Sequence, residues 1–186
     1  MAKKKFLEVQ IPLIKTEIKV LAEEPKDVEG RNIKLDLTRQ LRGKSIEATF
    51  KIKIEDKKLV AETIRLLVMP YFIRRMMRKS TSYVEDSFET DAKDYKIRIK
   101  TLLITRKKVH RSVRKALRIA TKEYLMEYVR DKKTEEIFSE IISSRLQKPM
   151  SQKLKKIYPL GLCEIRDIKK VGKQKPETEV KTEKID

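Results

Sequence analysis

The regular alternation of apolar and polar residues between Ile46 and Ile54 constrains the fold of this chain more than any other feature. Ile46, Ala48, Phe50, Ile52 and Ile54 share one parity, and Glu47, Thr49, Lys51 and Lys53 share the other. Because successive side chains of a strand point to opposite faces, this pattern predicts a β-strand with one solvent-exposed face. A second apolar run, residues 59–68, follows after only four polar residues, so we expect the two strands to form a hairpin.

Period-two patterns predict strands elsewhere in the chain. We expect two short strands within residues 6–20, a turn or single helical turn after Glu24, and a third strand around residues 33–37. A further hairpin is predicted from a strand over 80–90, a turn at 91–94 and a strand over 95–104. The last strand is expected over residues 162–168. No repeat or obvious linker divides the chain, so we predict one domain.

The most basic stretch, residues 105–122, contains eight Lys and Arg residues and no acid. As a helix with about 100° per residue it would gather Val109, Val113, Ala116, Leu117 and Ala120 on one side. Lys107, Arg111, Lys115, Arg118 and Lys122 would lie on the other side, so one face can pack while the opposite face stays cationic. Beyond Lys122 the apolar positions, including Tyr124 and Tyr128, rotate by about a quarter turn, which indicates a second packing partner or a kink.

Three further helices are predicted. Pro70 suits the first turn of a short helix, on which Tyr71, Arg74, Arg75 and Arg78 form a basic stripe. Its apolar side would hold Phe72, Ile73, Met76 and Met77. Thr134 is the expected N-cap of the next helix, which should end before Pro149. Residues 150–157 can form one more short basic helix.

The charge balance points to a polyanionic partner. The chain has 186 residues, a formal net charge of +19 and an apolar fraction of 39%, which is enough for a core. Nucleic acid is the leading partner and an acidic membrane the second. No segment approaches the roughly 20 apolar residues of a membrane span, and the N-terminal residues do not form a signal-peptide core. We therefore expect a soluble, cytoplasmic protein.

Catalytic and metal-binding patterns are weak. Cys163 and His110 are the only residues of their types and cannot supply a four-ligand zinc site. The four glycines lie too far apart for a phosphate-binding loop. A catalytic triad on His110 lacks a nearby acid. We predict that Cys163 is a buried small residue, and that the protein is not an enzyme and needs no cofactor or metal.

The acids between Glu85 and Asp94 raise the alternative of a Mg²⁺-dependent nuclease, because two carboxylates can hold a metal beside a phosphate. Their spacing argues against it. Asp86 shares a strand face with Val84 and Phe88, whereas Glu85 and Glu89 point to the other face. Asp91 and Asp94 have the character of turn residues. A charge-balanced hairpin is the favoured interpretation.

Several short strings, taken in order, resemble one protein family. They are Lys3-Lys4-Lys5 before Phe6; Gly30-Arg31-Asn32-Ile33; Arg74 to Ser80 before Tyr83-Val84; Lys96 to Lys108; and Lys156-Ile157-Tyr158-Pro159-Leu160 before Glu164-Ile165-Arg166. In this order and spacing the chain resembles the S-three-A-e (eS-one) family of archaeal and eukaryotic small-subunit ribosomal proteins. The short C-terminal tail is similar to that of archaeal members.

The resemblance implies an α+β fold, mainly an antiparallel β-barrel with helices packed around it. It implies a structural constituent of the small ribosomal subunit, on the platform near the mRNA exit. Its partners would be small-subunit rRNA and neighbouring ribosomal proteins, with mRNA near the exit as an additional candidate. We assign residues 1–5 to a basic N-terminal arm, 6–171 to a single barrel domain and 172–186 to a flexible tail.

The predicted RNA-binding residues are the cations of the arm, the short helix, the most basic stretch and the last helix. They are Lys3, Lys4, Lys5, Arg74, Arg75, Arg78, Lys79, Arg106, Lys107, Lys108, Arg111, Arg114, Lys115, Arg118, Lys153 and Lys156. The principal alternative is a free RNA-binding regulator or RNA chaperone. A peripheral membrane protein is a weaker alternative, because the apolar side of the basic helix lacks Trp or Phe anchors.

Overall fold

The structure is a computed structural model that describes residues 4–41, 44–55 and 58–173. Its strands are β1 (Lys5–Ile11), β2 (Thr16–Ala22), β3 (Asn32–Asp36), β4 (Ile46–Glu55), β5 (Lys58–Val68), β6 (Tyr83–Asp91), β7 (Tyr95–Thr105) and β8 (Leu160–Lys173). Its α-helices are α1 (Pro70–Met76), α2 (Arg111–Arg130), α3 (Thr134–Ile142) and α4 (Gln147–Lys155), and a 3₁₀ turn covers Pro25–Val28. The predicted α+β class is confirmed.

The β4–β5 hairpin forms as the alternation predicts. Ile46 pairs with Val68 and Ile54 with Leu59 in antiparallel register. The core face of β4 buries Ile46, Ala48, Phe50 and Ile52, whereas Lys51 on the opposite face is exposed. A register shift between Thr49 and Phe50 marks a bulge, which increases the local twist of the strand.

Strand β5 joins the two halves of the sheet. One of its edges pairs with β4 along its length. The other edge pairs with parallel β1 near its start, through Val9 and Leu59, and with antiparallel β8 near its end, through Leu67 and Asp167. The sheet therefore continues from this edge into β1–β2 on one side and into β8–β7–β6 on the other.

The expected barrel is not confirmed. In the part of the chain that the structure describes, β2, β3 and β6 each pair with a single neighbour, so the sheet does not close. Period-two alternation identifies strands but carries no information about which edges meet. The free edge of β6 is instead flanked by α2, from which the Nε–H of Arg118 donates to the carbonyl oxygen of Glu85 at 3.3 Å.

The basic helix begins six residues later than predicted. Thr105 is the last residue of β7 and pairs with Leu160 of β8. Its fully buried hydroxyl lies 2.9 Å from the carbonyl oxygen of Ser82 and 2.7 Å from that of Lys107. These contacts hold residues 106–110 outside the helix, so Arg106, Lys107 and Lys108 lie on a loop. The helical period alone could not indicate where the preceding strand stops.

Helix α2 packs through a line of fully buried residues, Leu117, Thr121, Leu125 and Val129. Val113 and Ala120 are half-buried as predicted, but Ala116 is exposed. The rotated positions after Lys122 reflect a second packing partner, since α2 continues uninterrupted to Arg130. Tyr128 donates to Glu140 of α3 at 2.8 Å, and the ammonium of Lys153 on α4 lies 5.2 Å from the ring centroid of Tyr124.

The starts of α3 and α4 differ from the predictions. Thr134 is the first helical residue rather than the N-cap, which is Lys133. Helix α3 ends at Ile142, before Pro149 as expected. Helix α4 begins at Gln147, so Pro149 lies in its first turn. That position is tolerated because the N–H groups of the first turn have no intrahelical acceptor.

The strand directions give the sheet two ends of different character. One end carries α1, the start of β6, the end of β7 and the start of β8, since Tyr83 pairs with Ile104 and Thr105 with Leu160. The β4–β5 and β6–β7 turns lie at the opposite end. Strand β8 also runs toward that end through residues 172 and 173, which the sequence interpretation assigns to the tail; residues 174–186 lie outside the described residues. None of the described helices is long and apolar enough to span a bilayer.

Candidate nucleic-acid interface

Most of the predicted RNA-binding residues lie at the end of the sheet that carries α1. They come from α1 and the turn after it, the loop after β7, the first half of α2 and the residue after α4. We term this set the basic end: Arg74, Arg75, Arg78, Lys79, Arg106, Lys107, Lys108, Arg111, Arg114, Lys115, Arg118 and Lys156. Arg114 is half-buried and the others are exposed. Lys156 belongs to the set because it precedes Leu160, the partner of Thr105, by four residues.

Helix α1 presents its arginines by burying its opposite side. Phe72 and Ile73 are buried, and the guanidinium of Arg75 lies 5.3 Å from the Phe72 ring centroid. The helix ends at Met76, so Arg78 and Lys79 lie on the following turn and the predicted stripe is only partly helical. Met76 and Met77, predicted on the apolar side, are 36% and 41% exposed. The short helix therefore leaves methionine side chains beside its arginines.

A hydrogen-bond network around Ser82 connects this turn to the loop after β7. The Ser82 N–H donates to the Thr105 hydroxyl at 3.0 Å, and the Ser82 hydroxyl accepts from the Val109 N–H at 3.2 Å. Three residues earlier, Lys79 ends the arginine-rich turn. The network thus joins the segment that follows Arg78 and Lys79 to the loop that carries the cations at 106–108.

Two grooves run beside α2. The first has a volume of about 460 Å³ and is lined by Tyr83, Arg111, Ser112, Arg114, Lys115 and Arg118. The second has a volume of about 400 Å³ and is lined by Glu85, Asp86, Ser87, Lys100, Thr101, Arg118 and Arg166. Arg118 is common to both. The first groove contains only cations among its charged residues, whereas the second also contains two carboxylates.

The start of α2 is unfavourable for a free helix and favourable for an anion. Its first turn contains no acid, and Arg111 stands at its first position. Cations there oppose the helix dipole, whose N-terminal end is positive, whereas an anion is stabilised by the dipole and by the free backbone N–H groups. The arrangement can bind phosphate groups.

Carboxylates divide the cations of this protein into two classes. On the sheet, Glu62 pairs with Lys53 and Lys170, Glu89 with Lys96 and Arg98, and Glu85 with Arg166. Asp167 pairs with Arg65 at 2.7 Å and with Lys100 at 3.6 Å. Within the described ranges, no charged side-chain nitrogen of the basic end lies within 4.0 Å of a carboxylate oxygen. Much of the positive charge on the sheet is therefore paired with carboxylates, whereas the charge of the basic end is left uncompensated.

Two acids of the sheet, Glu62 and Glu89, are held in their charged form. Burial alone would raise the pKa of Glu62, but hydrogen bonds from Lys170 and Lys53 outweigh this effect and lower that pKa below its ordinary value. Hydrogen bonds from Arg98 and Lys96 lower the pKa of Glu89 in the same way. Both carboxylates are thus ionised at neutral pH and neutralise the neighbouring cations.

Four predicted RNA-binding residues are not part of the basic end. Lys4 and Lys5 lie at the opposite end of the sheet, because β1 runs parallel to β5 and Lys5 stands four residues before the Val9–Leu59 pair. Strand β5 has 11 residues and is roughly 35 Å long, so Lys4 and Lys5 are separated from α1 by a distance of that order. Lys153 lies over Tyr124, beside the second half of α2. Lys3 lies outside the described residues.

The groups considered for catalysis have other roles. Cys163 is buried, which raises the pKa of its thiol to about 12, and the neighbouring Glu164 adds to this effect. A thiol of that pKa is a poor nucleophile at neutral pH. Glu85 and Glu89 are engaged by arginines, and Asp94 accepts hydrogen bonds from Thr134. Among the described residues no His, Cys, Asp and Glu side chains cluster in a way that could hold a metal ion.

The sequence interpretation missed Tyr83, Ser82 and Thr105. Tyr83 is 53% exposed and forms a wall of the first groove, although it begins a strand. Tyr83 shares a strand face with Glu85 and Ser87, neither of which is buried. This alternation was the sequence signal that indicated an exposed position for Tyr83. Ser82 and Thr105 carry no such signal, because their hydrogen bonds join segments 23 residues apart.

Comparison with known proteins identifies the family. A sequence model described as the Ribosomal S3Ae family matches residues 1–174. The protein named small ribosomal subunit protein eS1 of Haloarcula marismortui is 30% identical over 155 residues, which cover 80% of this chain and 72% of that protein. Its namesake from Halorubrum lacusprofundi is 30% identical over 153 residues, with 80% and 71% covered.

A more distant archaeal relative extends the match over more of the chain. The protein of the same name from Saccharolobus islandicus is 26% identical over 174 residues, which cover 89% of this chain and 84% of that protein. The family match includes α1, the loop after β7, all of α2 and β8. The whole basic end lies within the matched residues, and the chain belongs to the Ribosomal S3Ae family.

Proposed function

We propose that the protein is a structural, non-enzymatic constituent of the small ribosomal subunit, and that it binds small-subunit rRNA through the basic end. Membership of the Ribosomal S3Ae family and the name shared by its archaeal relatives support the ribosomal role and a cytoplasmic location on the ribosome. The observation that carries the RNA-binding part is the contrast between the paired cations of the sheet and the uncompensated cations of the basic end.

The binding mechanism follows from this charge distribution. Lysine and arginine side chains that contact phosphates release condensed counterions, so affinity falls steeply as the salt concentration rises. Side chains cannot read the narrow major groove of A-form RNA, and recognition therefore depends on shape and on exposed single-stranded loops. We expect weak sequence preference for short oligonucleotides. Within the subunit we place the protein on the platform near the mRNA exit, beside neighbouring ribosomal proteins and with mRNA as an additional partner.

Neutralisation of two cations tests the RNA-binding surface. In Arg111→Gln/Lys115→Gln the removed charges lie opposite the buried line of α2, so the fold should be retained. Affinity for small-subunit rRNA should fall, and the slope of log K against log salt should decrease by about one for each phosphate that the variant no longer neutralises. The measurement is a filter-binding or anisotropy titration at several salt concentrations.

A matched control removes the same charge elsewhere. Lys19 on β2 and Lys34 on β3 have side chains that are both 69% exposed and lie outside the basic end. The Lys19→Gln/Lys34→Gln variant should retain affinity and salt slope much closer to those of the wild type. Equal behaviour of the two variants would show that only net charge matters and would refute a localised surface.

Purification of small subunits tests the ribosomal role. A structural constituent should remain at one copy per small subunit after washing in high salt, and cryo-electron microscopy of those subunits would locate it. Loss of the protein from washed subunits, with RNA binding retained in isolation, would instead favour the free RNA-binding regulator or chaperone.

A further inference from the structure

We propose that the groove between Tyr83 and α2 is a site for one unpaired nucleotide, with the base stacked on the Tyr83 ring and the phosphate bound by the α2 cations. The inference rests on the proposed binding of rRNA and specifies which feature of the RNA this part of the basic end binds. Occupation of the groove would add a single-stranded contact to an otherwise electrostatic surface.

Tyr83 has the properties of a stacking platform. The residue is 53% exposed although it begins a strand whose next member, Val84, is buried. The backbone on either side is fixed, since Ser82 belongs to the hydrogen-bond network with Thr105 and Tyr83 itself pairs with Ile104. An exposed tyrosine ring on a rigid backbone can stack on a base at a low ordering cost, because only two side-chain torsions are fixed, and every base offers a suitable face.

The opposite wall supplies phosphate ligands. Arg111, Arg114, Lys115 and Arg118 are spaced at three, four and seven residues from the first, which places them on one side of the helix. The Nε–H of Arg114 is buried and has no hydrogen-bond acceptor among the described residues. Arg118 is oriented by its bond to the Glu85 carbonyl oxygen. The groove volume, about 460 Å³, lies within the range of roughly 300–1,000 Å³ that is usual for small-ligand sites.

The second groove is less favourable for the RNA than the first. It begins at Arg118 and contains the carboxylates of Glu85 and Asp86. They partly compensate the cations of this groove, and Glu85 is paired with Arg166, so the second groove attracts phosphate less strongly than the first. The most favourable region is therefore the first groove, which suits a nucleotide that projects from a loop or bulge.

A duplex would not use this site in the same way. In an A-form helix both faces of each base are already covered by neighbouring bases, and the groove edges of the helix display hydroxyls and phosphates. Tyr83 would then meet the backbone and add little. The contribution of the Tyr83 ring therefore distinguishes an unpaired nucleotide from a duplex bound at the same cations.

The test uses the full-length protein and two RNA probes, a short hairpin with 2-aminopurine in its loop and a duplex with 2-aminopurine in a base pair. Wild type should change the fluorescence of the loop probe on binding and leave that of the duplex probe nearly unchanged. Tyr83→Leu should weaken loop binding by roughly 5- to 150-fold, the range expected when stacking on one base is removed. Tyr83→Phe should bind the loop as wild type does.

Control variants separate this inference from the proposed function. Phe6→Leu removes another exposed aromatic, 71% exposed at the opposite end of the sheet, and should leave loop binding unchanged. If Tyr83→Leu binds the loop probe within twofold of wild type while Arg111→Gln/Lys115→Gln binds it poorly, the stacking site is refuted and the basic end remains. If neither variant affects binding, the proposed RNA surface itself fails. Circular dichroism would verify that each variant is folded.

Discussion

The carboxylate of Asp94 caps a helix that begins 40 residues further along the chain. Its Oδ1 accepts a hydrogen bond from the backbone N–H of Thr134 at 3.0 Å, at the start of α3. The N-cap residue itself, Lys133, makes no side-chain hydrogen bond to the helix. A second contact, from the Lys93 N–H to the Lys132 carbonyl oxygen at 3.2 Å, joins the same two segments. The β6–β7 turn thereby fixes the junction of α2 and α3.

Replacement of Asp94 by alanine should destabilise the protein by about 1 kcal/mol, within the range of roughly 0.5–2 kcal/mol for loss of an N-cap acceptor. Urea or thermal unfolding measures the change. Asp94→Asn keeps one acceptor oxygen and should lose less. Asp91→Ala, a change at an exposed aspartate next to the same turn, is the matched control and should alter stability by less than about 0.5 kcal/mol. Equal losses in the two alanine variants would contradict the capping role.

Thr105 should control the order of the loop that carries Arg106, Lys107 and Lys108. Thr105→Val keeps the shape of the side chain but removes the hydroxyl that accepts from the Ser82 N–H and can donate to the carbonyl oxygen of either Ser82 or Lys107. The site is fully buried, so we expect a loss of about 1–3 kcal/mol in the free energy of unfolding. Hydrogen exchange of the amides at 106–110 should accelerate. Thr105→Ser restores the hydroxyl and should recover most of the protection from hydrogen exchange. If Thr105→Ser exchanged as fast as Thr105→Val, the role of the hydroxyl would be refuted.

The parts of the fold that were predicted correctly depend on local pattern. The β4–β5 hairpin follows from alternation on both sides of a four-residue turn, and α1 begins at Pro70 because proline suits a first turn. The parts that were missed depend on contacts between distant segments. The parallel pairing of Val9 with Leu59 and the capping of Thr134 by Asp94 leave no periodic trace in the sequence. The open edges of the sheet also depend on which distant strands meet, so no local pattern predicts them.

The candidate site shows the same division. The density of cations in residues 105–122 was visible, and the exposure of Arg111, Lys115 and Arg118 is confirmed. The sequence does not show which lysines lack a carboxylate partner, because ion pairs form between distant residues such as Glu62 and Lys170, which are 108 residues apart. Lys53 and Lys170 therefore differ from Lys107 in electrostatic role although all three are lysines in charged surroundings.

Glu62 should make stability depend on pH in the acid range. Its pKa is lowered in the folded state from an ordinary value of 4.5. The folded protein therefore binds fewer protons at this site than the unfolded chain does, so the contribution is fully present above about pH 4.5 and is lost as the pH falls through the folded pKa. Glu62→Gln should flatten this part of the stability profile, as measured by urea unfolding at successive pH values.

At neutral pH the same variant should be less stable by about 1–3 kcal/mol, since it leaves Lys170, whose side chain is only 8% exposed, without a carboxylate. Glu55→Gln serves as the control, because Glu55 is an exposed glutamate at the end of β4. If the free energy of unfolding fell equally steeply with decreasing pH in wild type and in Glu62→Gln, other carboxylates would dominate the acid response.

Leu117 and Ile119 should separate the packing of α2 from its RNA-binding role. Leu117 is fully buried and Ile119 is 46% exposed on the same helix. Leu117→Ala should cost about 2–5 kcal/mol, because a cavity forms beneath the helix, whereas Ile119→Ala should cost less than about 1 kcal/mol. Leu117→Asp should unfold or loosen the helix by burying an unpaired charge. The folded fraction of Leu117→Ala should bind rRNA with wild-type affinity, since the cations lie on the opposite face. A comparable loss of stability in the two alanine variants would contradict the assignment of the buried face.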